Sequence, residues 1–235
     1  IFTHFNELNT LYEKVKNEES FSKKIYNRGL YRYSDRIYVD HEYEMKTISD
    51  RRLGSNAFEK LPKLFYSEKP NDKYNYIQIY GRENGERKYK WFRRDYLNDA
   101  ENFDGWKVII PQANGSGALG EVLATPLIGK PLIGKPLIGH TETFLSIGNF
   151  KNELEAESCL KYVKTKFARA CLGILKITQA NTADKWKYVP LQDFTANSDI
   201  DWKKSISEID KQLYTKYALS QKEVDFIEEK VKLME

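Results

Sequence analysis

The chain has 235 residues, 40% of them hydrophobic and 14% aromatic, enough to bury one substantial core with at most a small helical appendage. No segment approaches the roughly 20 uninterrupted apolar residues that span a bilayer. Nothing near Ile1 combines a basic start, an apolar run and a small-residue cleavage site, so the reading is of a cytoplasmic chain without a signal peptide, cut from something longer. The formal charge of +4 is uneven: residues 199–235 hold nine acidic and seven basic side chains, leaving +6 on the rest, a balance that allows a polyanionic partner without demanding one.

Phe5, Leu8, Leu11, Tyr12 and Val15 recur at helical spacing and predict a short leading helix, the tail of a preceding domain. Between Tyr74 and Leu97 the period changes to two: Tyr76, Gln78 and Tyr80 face away from Ile77 and Ile79. Asn84-Gly85 then supplies a tight turn into a return strand, Lys88 to Phe92. Trp106 to Ile110 reads as a strand that ends at Pro111 and runs into the loop Asn114-Gly-Ser-Gly117. PLIGK follows from Pro126, PLIGK again from Pro131, and PLIG from Pro136. Pro and Gly in every unit exclude a helix or a central strand, so the expectation is an extended loop with a turn per unit. A further strand is predicted over about Glu142 to Ile147.

From Asn152 to about Lys176, Ala156, Leu160, Val163, Phe167, Ala170 and Ile174 share one helical face, with Asn152 and Glu155 as a capping pair. On one helix Cys159 and Cys171, the only cysteines, would stand roughly 18 Å apart, too far for a disulfide. Two unpaired thiols fit a reducing compartment, and no CxxC or HxxxH pair suggests a metal. Trp202, Ile206, Ile209 and Leu213 mark another helix, and Ser220 with Glu223 caps a last one. The fold expected is α+β: a mixed or antiparallel sheet with a hairpin and one long packed helix, followed by a C-terminal helix pair. Its expected divisions are a leading helix over 1–20, a main domain over 21–197 and the helix pair over 198–235.

All seven prolines are isolated, so the Asn/Asp-Pro-Pro-aromatic grip of an adenine methyltransferase is absent. The run from Asn114 to Gly120 is neither GxGxxG nor a P-loop, and suits a tight loop near DNA or a plain turn. Glu86-Arg87-Lys88 and Glu228-Glu229-Lys230 match a nuclease triplet by spelling only, and His4, His41 and His140 lie in no triad context. More suggestive are the basic clusters Arg51-Arg52, Arg87 to Lys90 and Arg93-Arg94, interleaved with Tyr89 and Trp91. Guanidinium forks suit guanine edges and phosphates, although a solvated strand face over core aromatics explains them as well.

The stretch Lys107-Val-Ile-Ile-Pro111, Asn114 to Glu121, Thr125-Pro-Leu-Ile-Gly129, Thr141-Glu-Thr-Phe144 and Lys161 to Arg169 resembles the C-terminal part of bacterial type II restriction-modification methylases. The likeness continues through Leu175 to Gln179, Trp186 to Phe194 and Ser198 to Trp202, covering about Trp106 to Glu235. That family's pattern has two PLIG-like units where this chain has three. The resemblance implies a target-recognition domain, related to those of type I specificity subunits, serving an adenine-N6 methyltransferase whose catalytic domain precedes it. It implies duplex DNA and that missing domain as partners, S-adenosylmethionine as the cofactor of the parent enzyme, and no catalytic residue, metal or cofactor in this fragment. Chemistry nominates Arg51, Arg52, Lys88, Lys90, Arg93, Arg94, Asn114, Ser116, Lys130, Lys135, His140 and Thr141 for DNA contact, with Trp91, Trp106, Phe144 and Phe167 as structural. The alternatives are a metal-dependent restriction nuclease domain and a protein-interaction module docking through the C-terminal helices.

Overall fold

A computed structural model describes residues 3–114 and 128–234. The fold is α+β, with two sheets meeting at a seam. The first sheet is antiparallel, in the order β1 (Ile25–Tyr26), β7 (Phe144–Phe150), β4 (Trp106–Pro111), β5 (Leu132–Gly134). The second is mixed: β3 (Glu86–Arg93) lies antiparallel to β2 (Tyr76–Glu83), and β6 (Ile138–His140) lies parallel to β2 on its other side. The hairpin forms as its turn chemistry dictates, with φ of 51° at Asn84 and 83° at Gly85, the left-handed pair that matches strand twist. Ile77 and Ile79 turn into the core.

The tandem units depart from the loop expected of them. The second unit supplies β5 and the third supplies β6, so consecutive copies of one pentapeptide join different sheets. Both positions are edges, and Pro131 and Pro136 stand just before the strands rather than inside them. Each unit's glycine lies where backbone meets a neighbour: a Cβ on Gly134 would stand 2.8 Å from Ile109 Cδ1, and one on Gly139 2.9 Å from Ile79 Cδ1. Deleting Pro131 to Lys135 brings an identical Leu-Ile-Gly, from Pro126 to Lys130, directly before the third unit, able to take the place of β5. The expected result in calorimetry is one cooperative melt with its midpoint lowered by about 5 °C or less. A broad, uncooperative transition would contradict this.

The apolar stripe over 152–176 is buried as predicted, but the helix carrying it is broken. Helix α5 (Glu153–Lys164) ends at Thr165, whose ψ of 148° is extended, and α6 (Lys166–Gly173) starts anew. Three side chains make the break. Thr165 Oγ1 accepts the Ala168 N–H, and Asp210 accepts those of Lys166 and Phe167 at 3.0 and 2.9 Å. Arg169 is buried: its Nε donates to the Lys164 and Thr165 carbonyls and its Nη2 to that of Lys232. The orphan groups of both helix ends are thereby paired inside the protein. Cys159 and Cys171 lie on separate helices as buried free thiols, and burial raises both above the usual thiol range.

Helix α6 is apolar nearly all round and forms the hub of the helical layer. Leading helix α1 (Asn6–Val15), α7 (Ile206–Lys216) and α8 (Gln221–Lys230) all pack on it. Helices α7 and α8 therefore share α6 more than they pair with each other, joined by Tyr214 Oη donating to Glu228 at 2.9 Å. Both start with complete capping boxes, Ser205 with Glu208 and Ser220 with Glu223. The hydrophobic clusters cut across the expected divisions. One joins Leu8, Leu11 and Val15 to the first sheet and the helices, while the other lies within residues 31–103, built on Ile79, Phe58, Phe92 and Tyr33. No helix among the described residues is long and apolar enough to cross a membrane.

Between the sheets, Tyr80, Ile109 and Phe144 form a small third cluster beside a buried polar chain. Tyr31 Oη donates to Asn102 Oδ1 at 2.9 Å, Asn102 Nδ2 donates to Ser146 Oγ at 2.9 Å, and Ser146 Oγ lies 3.0 Å from His140 Nε2. His140 Nδ1 faces the Thr141 carbonyl at 3.0 Å, which requires its proton there and leaves Nε2 to accept from Ser146. Buried Lys107 donates to the Phe103 and Ile138 carbonyls, and desolvation pushes its pKa down to about 8.

Candidate nucleic-acid interface

Charge clusters in the sequence become ion pairs in the fold. Arg51 pairs with Asp35 and lies over the Tyr38 ring; Arg52 pairs with Asp50 and, at 3.3 Å, with Glu142. Lys88 holds Glu83 and Glu86, and Arg94 holds Asp99 while covering the Phe103 ring. Lys90 and Arg93 are buried, the first on Glu83 and the second between Asp40, Asp95 and the Tyr74 ring. His140 and Thr141 lie wholly inside the seam. Burial therefore takes Lys90, Arg93, His140 and Thr141 out of reach of a duplex, a correction with one physical cause: each is spent on internal partners. Asn114 accepts from Asn181 Nδ2 at 3.0 Å, and Ser116 lies outside the described residues. Lys130 and Lys135 are exposed, Lys135 over the Trp106 ring. Phe144 and Phe167 are core residues and Trp91 and Trp106 are half-buried, as their structural reading implies.

A cleft of about 390 Å³ opens where the two sheets meet. Ser55, Asn56 and Glu59 line it from around α4 (Ala57–Lys60), Arg82 and Gly85 from the hairpin end, Gln112 from beyond β4, and Glu142 and Thr143 from the approach to β7. Local bonds fix its frame: Thr143 Oγ1 donates to the Ser55 carbonyl, the Gln112 N–H to the Thr143 carbonyl, and the Asn84 N–H to Glu59. Glu142 is held behind it by Arg28 at 3.0 Å and by Arg52. Its Oε1 is buried without a hydrogen bond but is ion-paired with Arg52 at 3.3 Å.

The side chains of Asn56, Arg82 and Gln112 have no hydrogen-bond or ion-pair partner among the described residues. Arg82 and Arg87 are direct cross-strand partners, both exposed. Like charges directly opposite each other cost stability. Arg87 lies over the Phe144 ring and donates to the backbone carbonyl of Lys130, the last residue of the first tandem unit. Arg82, Asn56 and Gln112 escaped the sequence reading because none stands in a basic cluster. The signal that finds Arg82 is the two-residue turn, which fixes the register and places it opposite Arg87.

Among the described residues, no group of three or more His, Cys, Asp or Glu is placed to hold a metal ion. Compared with known protein families, curated proteins and solved structures, the chain matches none.

Proposed function

We propose that this chain is the target-recognition part of a restriction-modification adenine methyltransferase, binding duplex DNA while a separate domain of the parent enzyme supplies S-adenosylmethionine chemistry. The observation that supports it best is the exposed, like-charged pair Arg82 and Arg87, of which Arg82 has no hydrogen-bond or ion-pair partner among the described residues and lines a cleft with the free amides of Asn56 and Gln112. Unpaired guanidinium and amide groups are the chemistry of phosphate and base-edge contacts. Exposed Arg51 and Lys135 and half-buried Arg52, Lys88 and Arg94 extend the cationic surface, each contributing less where a carboxylate already holds it.

The test is retention of a randomised duplex library at two salt concentrations, sequenced after selection, with divalent metal in a parallel tube to detect cutting. Enrichment of a short motif without cleavage is expected. Arg82→Ala/Arg87→Ala should weaken all sequences alike and reduce the slope of log affinity against log salt by about two. Failure to bind at either salt would overturn the reading.

A further inference from the structure

Beyond the seam cleft, α4 and the short helix α3 (Glu42–Met45) border a groove of about 360 Å³. Lys46, Lys60 and Lys63 line it, with Glu44 as its one carboxylate, and Tyr43 stands in its wall 82% exposed. Arg51, Arg52, Lys88 and Arg94 each hold a carboxylate, whereas Lys60 and Lys63 have no hydrogen-bond or ion-pair partner among the described residues. Lys46 reaches Glu42 at 3.7 Å, with both side chains largely exposed, a pairing of little worth. The groove is continuous with the candidate interface. Lys60 also lines a cleft of about 80 Å³ with Arg52 and Asn56, and Asn56 in turn lines the seam cleft with Arg82. Cations therefore follow one another as Arg82, Arg52, Lys60, then Lys46 and Lys63. The carboxylates along the way already hold internal donors: Asp50 has Arg52, Glu59 the Asn84 N–H, and Glu142 both Arg28 and Arg52.

A row of cations matches the phosphates of one DNA strand, which repeat about every 3.4 Å of helix axis whatever the sequence. From this arrangement, and resting on the DNA-binding reading above, we infer that one backbone strand of the bound duplex continues from the hairpin end along this surface. It enters the groove between α3 and α4, where Lys46, Lys60 and Lys63 hold its phosphates beside the exposed Tyr43. These contacts fix where the duplex lies and carry no base preference. All four residues precede Trp106, where the family resemblance begins, so the resemblance does not supply them.

Lys46→Ala/Lys60→Ala/Lys63→Ala should reduce the slope of log affinity against log salt by about three on a fixed duplex. The bases enriched from a randomised library should not change. A second triple variant, Lys151→Ala/Lys203→Ala/Lys222→Ala, removes the same charge from exposed positions that line none of these three clefts, and its slope should match that of the unsubstituted chain. An unchanged slope in the first variant, or an equal fall in both, would overturn the inference and leave DNA binding at the hairpin end standing. A chain that binds no DNA at all would overturn both.

Discussion

Asp210→Ala should lower the unfolding free energy by about 3–4 kcal/mol, measured by urea denaturation at neutral pH. Asp210 is 1% exposed, and its two oxygens accept the N–H groups of Lys166 and Phe167, the first turn of a helix that packs against α1, α5, α7 and α8. Hydrogen bonds to a charged group contribute roughly 1.5–3 kcal/mol each, and alanine leaves both amides buried without an acceptor. Asp210→Asn keeps one acceptor oxygen and should lose about half as much. A loss below about 1 kcal/mol for the alanine variant would mean that water or a shifted Thr165 caps α6 instead.

The second large effect depends on pH. Burial pushes the His140 pKa down to about 4, against the raising influence of the Thr141 carbonyl, with Lys107 lowering it further. A base whose folded pKa is depressed contributes stability that is fully present above its unfolded value, about 6.5, and is lost as pH falls through the folded value. The gap corresponds to about 3 kcal/mol. Asp210, pushed up to about 6 by burial, has the opposite sign in the same window: its contribution is present below about 4 and lost as pH rises through 6. His140→Gln leaves Asp210 and every other carboxylate in place. Subtracting its stability from that of the unsubstituted protein therefore isolates the imidazole. The difference should fall by about 3 kcal/mol between pH 7 and pH 4, and a difference independent of pH would show that His140 is protonated inside the fold.

The sequence carried the local elements well and the long-range ones poorly. Asn84-Gly85 announced its hairpin because two positive φ angles are a strictly local demand, and Ser220 with Glu223 announced its helix for the same reason. The break at Thr165 was invisible because the apolar stripe runs straight through it. One of the groups that makes it, Asp210, stands 44 residues beyond the Lys166 whose N–H it accepts. Proline and glycine marked the tandem units as unfit for a central strand, which holds. Which sheet each unit joins could not be read from identical pentapeptides.

For the candidate interface the lesson is one of pairing. The carboxylates that neutralise Arg52, Arg93 and Arg94 stand close by in the chain, at Asp50, Asp95 and Asp99, so a charge cluster read with its flanking acids would have been discounted. Arg82 and Arg87 stand five positions apart in the chain, and only strand register brings them face to face. The resemblance over the second half pointed to DNA. The cleft that could meet it borrows most of its free side chains from the first half, where the resemblance is weakest.

The three tandem units are copies except at one place: where the first two end in Lys130 and Lys135, the third ends in His140. A repeat of identical strands has translational symmetry, and nothing in Pro-Leu-Ile-Gly tells the chain which copy belongs in which sheet. The fifth residue does. The position of His140 is enclosed, faces a hydroxyl that needs an acceptor, and is served by a neutral ring. A lysine there would bring a charge, three donors and no acceptor. One imidazole thus acts as an address label for the register, discriminating against a five-residue slip that the backbone alone would permit.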